Sequence, residues 1–231
     1  MGDPERGPAS AEDAYYDRRW RDLERLDSTI DHWFWRPGWH IGRSHYTWHV
    51  TFDADSPVRA LAAAYQAAVD LPFLDRVPLA GLHLTVQGVG FTDEVPRTEL
   101  DAVVSAAGEA LAAIPGFTLA LGPADADEQG VPLAVRPFAP ITAVRHALRG
   151  AIGAVRGPAA VPDPADGFHP HVTVFYCHRR ADPAPLRERL RELRGTPPVP
   201  VDVTHLSLIA LNRDRAVYTW ETVASVPLGP A

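Results

Sequence analysis

Two tetrapeptides carry the residue types that acid–base chemistry needs: His83-Leu84-Thr85-Val86 and His171-Val172-Thr173-Val174. Both lie in strand-like runs. On a strand, residues i and i+2 share a face. His83 therefore projects with Thr85, and His171 with Thr173, while Leu84, Val86, Val172 and Val174 point into the core. Each motif offers one imidazole and one hydroxyl to a common surface. Where two such units face each other, a neutral imidazole can take a proton from water and a protonated one can deliver a proton to a leaving oxygen. Histidine suits both tasks because its pKa lies near neutrality. The two hydroxyls, with backbone amides, can hold the non-bridging oxygens of a phosphate. This chemistry calls for no metal and no cofactor.

The motifs must be positioned by the elements around them. Ser44 to Phe52 predicts a strand in which Tyr46, Trp48, Val50 and Phe52 alternate with His45, Thr47, His49 and Thr51. Ser56 to Val69 predicts a helix, with Ser56 as N-cap and Pro57 at its first position. Leu82 to Phe91 is the first motif strand and Thr98 to Ala113 the next helix. Phe117 to Leu121 and Val131 to Val135 are strands around an acidic turn. Ile141 to Val155 is helical, Phe168 to Tyr176 is the second motif strand and Pro185 to Leu193 a helix. Val199 to Leu211 and Ala216 to Val223 form a final hairpin. The economical architecture is α+β and bilobal: two antiparallel sheets flank a central cleft, helices lie on the outer faces, and each lobe carries one H-x-T motif. Residues 1–43 read as a polar lead-in with a tryptophan-rich segment (DHWFWRPGW), 44–223 as the domain, and 224–231 as a tail. The tryptophans suit either an aromatic wall of a base site or a staple of the terminus to the core.

Composition narrows the chemistry further. The chain has 231 residues, 46% of them hydrophobic, enough for a sizeable core. Its formal net charge of −7 and lack of a basic stripe argue against long duplex nucleic acid as a partner, but a short end or a small nucleotide needs only a local positive pocket. All 22 basic residues are arginine. A Walker-type phosphate loop and a lysyl-adenylate ligase both need lysine, so both are excluded for this chain. No G-x-S-x-G elbow is present. No apolar run approaches the ~20 residues of a membrane span. A single cysteine, Cys177, and an N-terminus without an apolar centre give the cytoplasm as the expected compartment.

One H-x-T match is weak on its own, since about 0.2 would arise by chance in such a chain. His45-Tyr46-Thr47-Trp48 and His49-Val50-Thr51-Phe52 fit the same loose pattern. Position separates them. GLHLTVQGVGF and the second H-V-T-V resemble the paired H-x-[ST]-hydrophobic motifs of the two-histidine phosphoesterase superfamily, which includes 2′-5′ RNA ligase-like proteins and cyclic phosphodiesterases. Those motifs stand roughly 80 to 100 residues apart, one per lobe, as His83 and His171 do. The resemblance covers roughly residues 44 to 223 and departs from the usual continuation at HVTVFYCHRR. It implies a bilobal α+β fold and activity on 2′,3′-cyclic phosphates, 2′-5′ linkages or related phosphodiesters of a small nucleotide or RNA 3′ end. It also implies His171 as base and His83 as acid, roles that exchange if the substrate binds in the opposite sense.

Around the pair, His45 and His49 either line the cleft or lie on a solvated sheet face. A zinc site from His40, His45 and His49 is disfavoured, because four residues of strand separate His45 from His49 by about 13 Å. His169 shares a face with His171 and is a candidate for the cleft rim. Arg43, Arg136, Arg179 and Arg213 are candidates for a phosphate clamp. Tyr176 and Tyr218 suit stacking on a base or packing in the core. Two rival functions fit the same residues: a non-catalytic nucleotide-binding module, and a tailoring enzyme for a small phosphorylated metabolite.

Overall fold

The computed structural model describes residues 10–230; residues 1–9 of the expected lead-in and Ala231 of the expected tail lie outside the described residues. Among the described residues nine strands form two antiparallel sheets. The first has the order β3(His83–Phe91), β1(His45–Thr51), β8(His205–Asn212), β9(Thr219–Pro227). The second has the order β2(Leu74–Arg76), β6(Val172–Cys177), β5(Gly130–Arg136), β4(Phe117–Ala124), β7(Val199–Val203). Five helices accompany them: α1(Ala11–Glu24), α2(Pro57–Ala68), α3(Arg97–Leu111), α4(Phe138–Arg156) and α5(Ala184–Glu192).

The two sheets are not the two halves of the sequence. Strands β8 and β9 complete the sheet begun by β1 and β3, while β2 crosses from the first half to pair with β6. The helices follow: α2 packs on β6 and β7, whereas α4 packs on β3 and α3 on β9. This interleaving ties the lobes into one core. Its members include Trp48, Leu84, Val86, Val172 and Val174, all fully buried. Each such side chain contributes roughly 1.5–3 kcal/mol of burial, and four of them are the inward residues of the two motifs.

Three expectations need correction. The stretch from Val199 to Leu211 is two strands in different sheets, because β7 pairs with β4 and β8 with β1. Its buried positions change phase, from Val201 and Val203 to Leu206 and Leu208, so the chain turns over at Thr204 and His205. The second motif strand begins at Val172 rather than Phe168. Pro170 has no N–H to give a ladder and restricts the residue before it, which holds 168–171 as a loop. Residues 224–227, expected in the tail, extend β9, and the Gly229 backbone bonds to Ile114 and Gly116. Ser56 does stand before Pro57, but its hydroxyl makes no capping bond.

The lead-in is built onto the domain. Helix α1 starts with a capping box, Ser10 Oγ accepting from the Asp13 amide and Asp13 accepting from the Ser10 amide. It docks on the second sheet through Tyr16, whose hydroxyl accepts from the Val135 amide (2.8 Å) and donates to the Val135 carbonyl (2.9 Å).

Candidate active site

His83 opens β3, and His171 stands directly before β6. Each is reached from a backbone turn, and the two turns do the same thing. Nδ1 of His83 lies 2.8 Å from the Gly81 carbonyl, and Nδ1 of His171 lies 3.0 Å from the His169 carbonyl. A carbonyl only accepts, so Nδ1 carries the proton in both rings. The Nε2 atoms then stand free as acceptors when neutral and as donors when protonated; neither has a hydrogen-bond partner among the described residues. Two imidazoles, one opening a strand of the first sheet and the other directly before a strand of the second, are thus prepared with the same nitrogen available.

Thr85 is the one exposed residue inside β3, which aims its hydroxyl out of the sheet on the side of His83. His83, Thr85, His171 and Thr173 all line a single cavity of about 680 Å³. That volume suits a nucleotide-sized ligand. The surrounding wall includes His45, His169, Tyr176, Tyr218 and Trp39.

The two histidines differ in setting. His83 is 9% exposed, and burial, with the nearby His171, pushes its pKa down to about 4. It is therefore neutral at physiological pH. His171 is open to solvent.

Behind the cavity wall stands a third imidazole. His49, expected to line the cleft, is fully buried instead and does not reach the cavity. The register places His49 opposite Thr85. Its Nε2 lies 3.1 Å from Thr85 Oγ1, and its ring stacks on His83 at 4.5 Å between centroids and 4° between planes. His49 Nδ1 is buried without a hydrogen-bond partner among the described residues. A buried orphan N–H is rarer and costlier than an orphan acceptor, so the proton belongs on Nε2, donating to Thr85. The threonine hydrogen is then free to point into the cavity. Burial also depresses the His49 pKa well below the ordinary imidazole value, which keeps this ring neutral.

The arginine candidates divide. Arg213 lines the cavity. Arg43 and Arg136, expected there, do not. Arg43 packs on Phe91 (3.6 Å) and pairs with Asp93 and Glu94, and Arg136 pairs with Asp13 of α1 at 2.7 Å. Arg179 bonds the Pro72 carbonyl. These guanidiniums are committed to local carboxylates and carbonyls that sequence separation hides. Of the tryptophan-rich segment, Trp33 acts as a staple, donating to Asp75 and packing on Tyr176 and Tyr218, whereas Trp39 lines the cavity.

Arg36, Arg19 and Arg145 line the cavity and were not anticipated. Arg19 is neutralised by a two-point bond to buried Asp125 (2.6 and 2.7 Å). Arg145 did leave a signal: it sits among Ile141, Val144, Leu148 and Ile152 on the apolar face of α4, where a charge needs a reason. Its guanidinium bonds the carbonyls of Val86 and Pro164 and lies over Phe168.

No helix among the described residues is long and apolar enough to cross a membrane. A comparison with curated protein sequences finds no match. Solved structures share the fold. TT0787 of Thermus thermophilus is 18% identical with a TM-score of 0.62, the alignment covering 80% of this chain and 98% of that one. E. coli LigT complexed with phosphate is 21% identical with a TM-score of 0.59, covering 81% and 98%. E. coli LigT complexed with 3′-AMP is 21% identical with a TM-score of 0.58, covering 80% and 98%. The sequence itself matches the 2′-5′ RNA ligase superfamily over residues 55–215, most of the chain and both H-x-T motifs, and the protein belongs to that superfamily of two-histidine phosphoesterases.

Proposed function

We propose that the protein is a metal-independent phosphodiesterase that hydrolyses a cyclic 2′,3′-type or a 2′-5′ phosphodiester of a nucleotide or RNA end. The observation that carries this reading is the matched pair of imidazoles, each held through Nδ1 by a carbonyl two residues upstream, on one cavity with Thr85 and Thr173. The small nucleotide and phosphate found with LigT are consistent with a ligand of this class.

The burial of His83 supports the following division of roles, in which His171 acts in its protonated form. Neutral His83 takes a proton from the attacking water through Nε2. Protonated His171 gives its Nε2 proton to the leaving ribose oxygen as the P–O bond breaks. In the cyclic case the product is a monoester, by analogy the 2′-phosphate. Thr85 and Thr173 donate to the non-bridging oxygens. Burial of His83 supports it as base, the reverse of the assignment that the resemblance implies.

This assignment has a pH signature. The acidic limb of kcat/KM reports the base of the free enzyme. A His83 depressed to about 4 stays competent as the pH falls through 6 and loses its function only as it protonates. The limb is therefore expected well below the ordinary imidazole value of ~6.5. A limb at or above that value would hand the base role to His171.

The reading as a whole is tested with a panel of 2′,3′-cyclic mononucleotides, cyclic-phosphate-ended oligonucleotides and 2′-5′-linked dinucleotides, with products separated by phosphate position. Turnover of at least one class, undiminished in EDTA, is expected. Tight nucleotide binding with no turnover of any member would instead identify a binding module. Within the panel, a marked preference for mononucleotides would favour a small phosphorylated metabolite over an RNA end.

A further inference from the structure

One wall of the cavity carries two cations that the reaction at His83 and His171 does not use. Arg36 comes from the tryptophan-rich segment and Arg213 from the turn between β8 and β9; both line the cavity. Arg213 is 3% exposed. Its Nη2 donates to the carbonyls of His32 (3.0 Å) and Phe34 (3.1 Å). Arg36 donates from Nη2 to Gln129 Oε1 (3.1 Å), and its Nε is buried with no partner among the described residues. Among the described residues neither forms an ion pair. Asp31, whose charge does reach Arg213, caps the Trp33 amide instead.

Like charges held together without a counterion disfavour each other. Here Arg36 opposes the charge on buried Arg213. A bound anion would relieve both. Both guanidiniums face the Tyr176 and Tyr218 side of the cavity wall, the Tyr218 ring centroid lying 5.8 Å from that of His83. The cavity thus holds an uncompensated pair of guanidiniums besides its two imidazoles and two threonines.

We propose that Arg36 and Arg213 form a second anion subsite that binds a non-reacting phosphate of the substrate. The proposal rests on the phosphodiester reading of the same cavity and adds that the preferred substrate carries a second phosphate. That phosphate is either a terminal 5′-monoester or the neighbouring diester of an oligonucleotide, since the guanidinium forks recognise the same oxygens in both.

The test is a binding measurement, so it stands whether or not any diester is cleaved. Calorimetry compares adenosine 3′-monophosphate, adenosine 3′,5′-bisphosphate and a dinucleotide ending in a 3′-phosphate. Wild-type protein is expected to bind one of the two-phosphate ligands about 30-fold more tightly than the monophosphate, the scale of two charge-assisted bonds. Which of them gains identifies the source of the second phosphate. Arg36→Met and Arg213→Met are each expected to reduce that ratio, and the double variant to bring it below ~3-fold. Because Arg213 also holds two carbonyls, Arg36→Met supplies the readout if Arg213→Met does not fold. An unchanged ratio in Arg36→Met would assign the pair a purely structural role. Equal loss of all three ligands would place the guanidiniums on the single phosphate. Either result overturns the proposal.

Discussion

Replacing His83 or His171 by alanine is expected to lower turnover at least ~100-fold, the usual scale for a lost proton-transfer group. The two changes should act as a unit: the double variant is expected to be little worse than either single one, because a displacement that has lost either proton transfer no longer profits from the other. The fold should survive both. His171 is exposed, and His83 opens a strand whose anchoring residues, Leu84 and Val86, point the other way and are fully buried. The check is steady-state turnover on the best substrate beside a melting curve for each variant. Activity persisting in both single variants would remove the two-imidazole mechanism. A collapse of the melting temperature would instead mean that the histidines hold the structure.

His49→Leu is expected to cost roughly 10- to 100-fold in turnover although residue 49 does not touch the cavity. Two constraints are lost together: the donor that turns the Thr85 hydroxyl toward the phosphate, and the parallel ring that fixes the plane of His83. Stability should move the other way or stay level. His49 is fully buried with an unpartnered Nδ1, so a leucine of similar size removes an unsatisfied polar atom. His49→Gln is the discriminating partner, because its amide can still donate to Thr85. It should recover part of the activity, mainly in kcat, without restoring the stacking. Equal activity in wild type and His49→Leu would refute the positioning role. Equal loss in Leu and Gln would leave stacking alone as the active contact.

The family, and the four residues that line the candidate site, were legible because their signals are local. Alternation around residues 83 and 171 sets which side chains face out, and a displacement of one residue would have reversed them. The helices expected over 56–69, with Pro57 at its first position, and over 98–113 form within two residues of those bounds, at 57–68 and 97–111. What failed was nonlocal. Sequence gives no partner for a guanidinium, so Arg43 and Arg136 looked as available as Arg213 until Asp93, Glu94 and Asp13 closed on them. His49 looked equivalent to His45 by alternation, yet one stands behind Thr85 and the other at the cavity wall. Bulges in the β1–β3 ladder shift the register between Tyr46 and Thr47 and between Trp48 and His49, and periodicity alone does not reveal them.

By itself, the sequence determined the chemistry on offer: two imidazole–hydroxyl units, no lysine for rival mechanisms, and strands that turn both units outward. Tertiary structure alone decided how they are used. Exchange of strands between the two sheets, and the folding of residues 10–43 onto the domain, set which histidine is buried, which hydroxyl is supported from behind and which arginines remain uncompensated at the cavity. The physical reason is that a side chain's direction is fixed by neighbours two residues away, whereas its proton affinity and free charge are fixed by atoms drawn from any part of the chain.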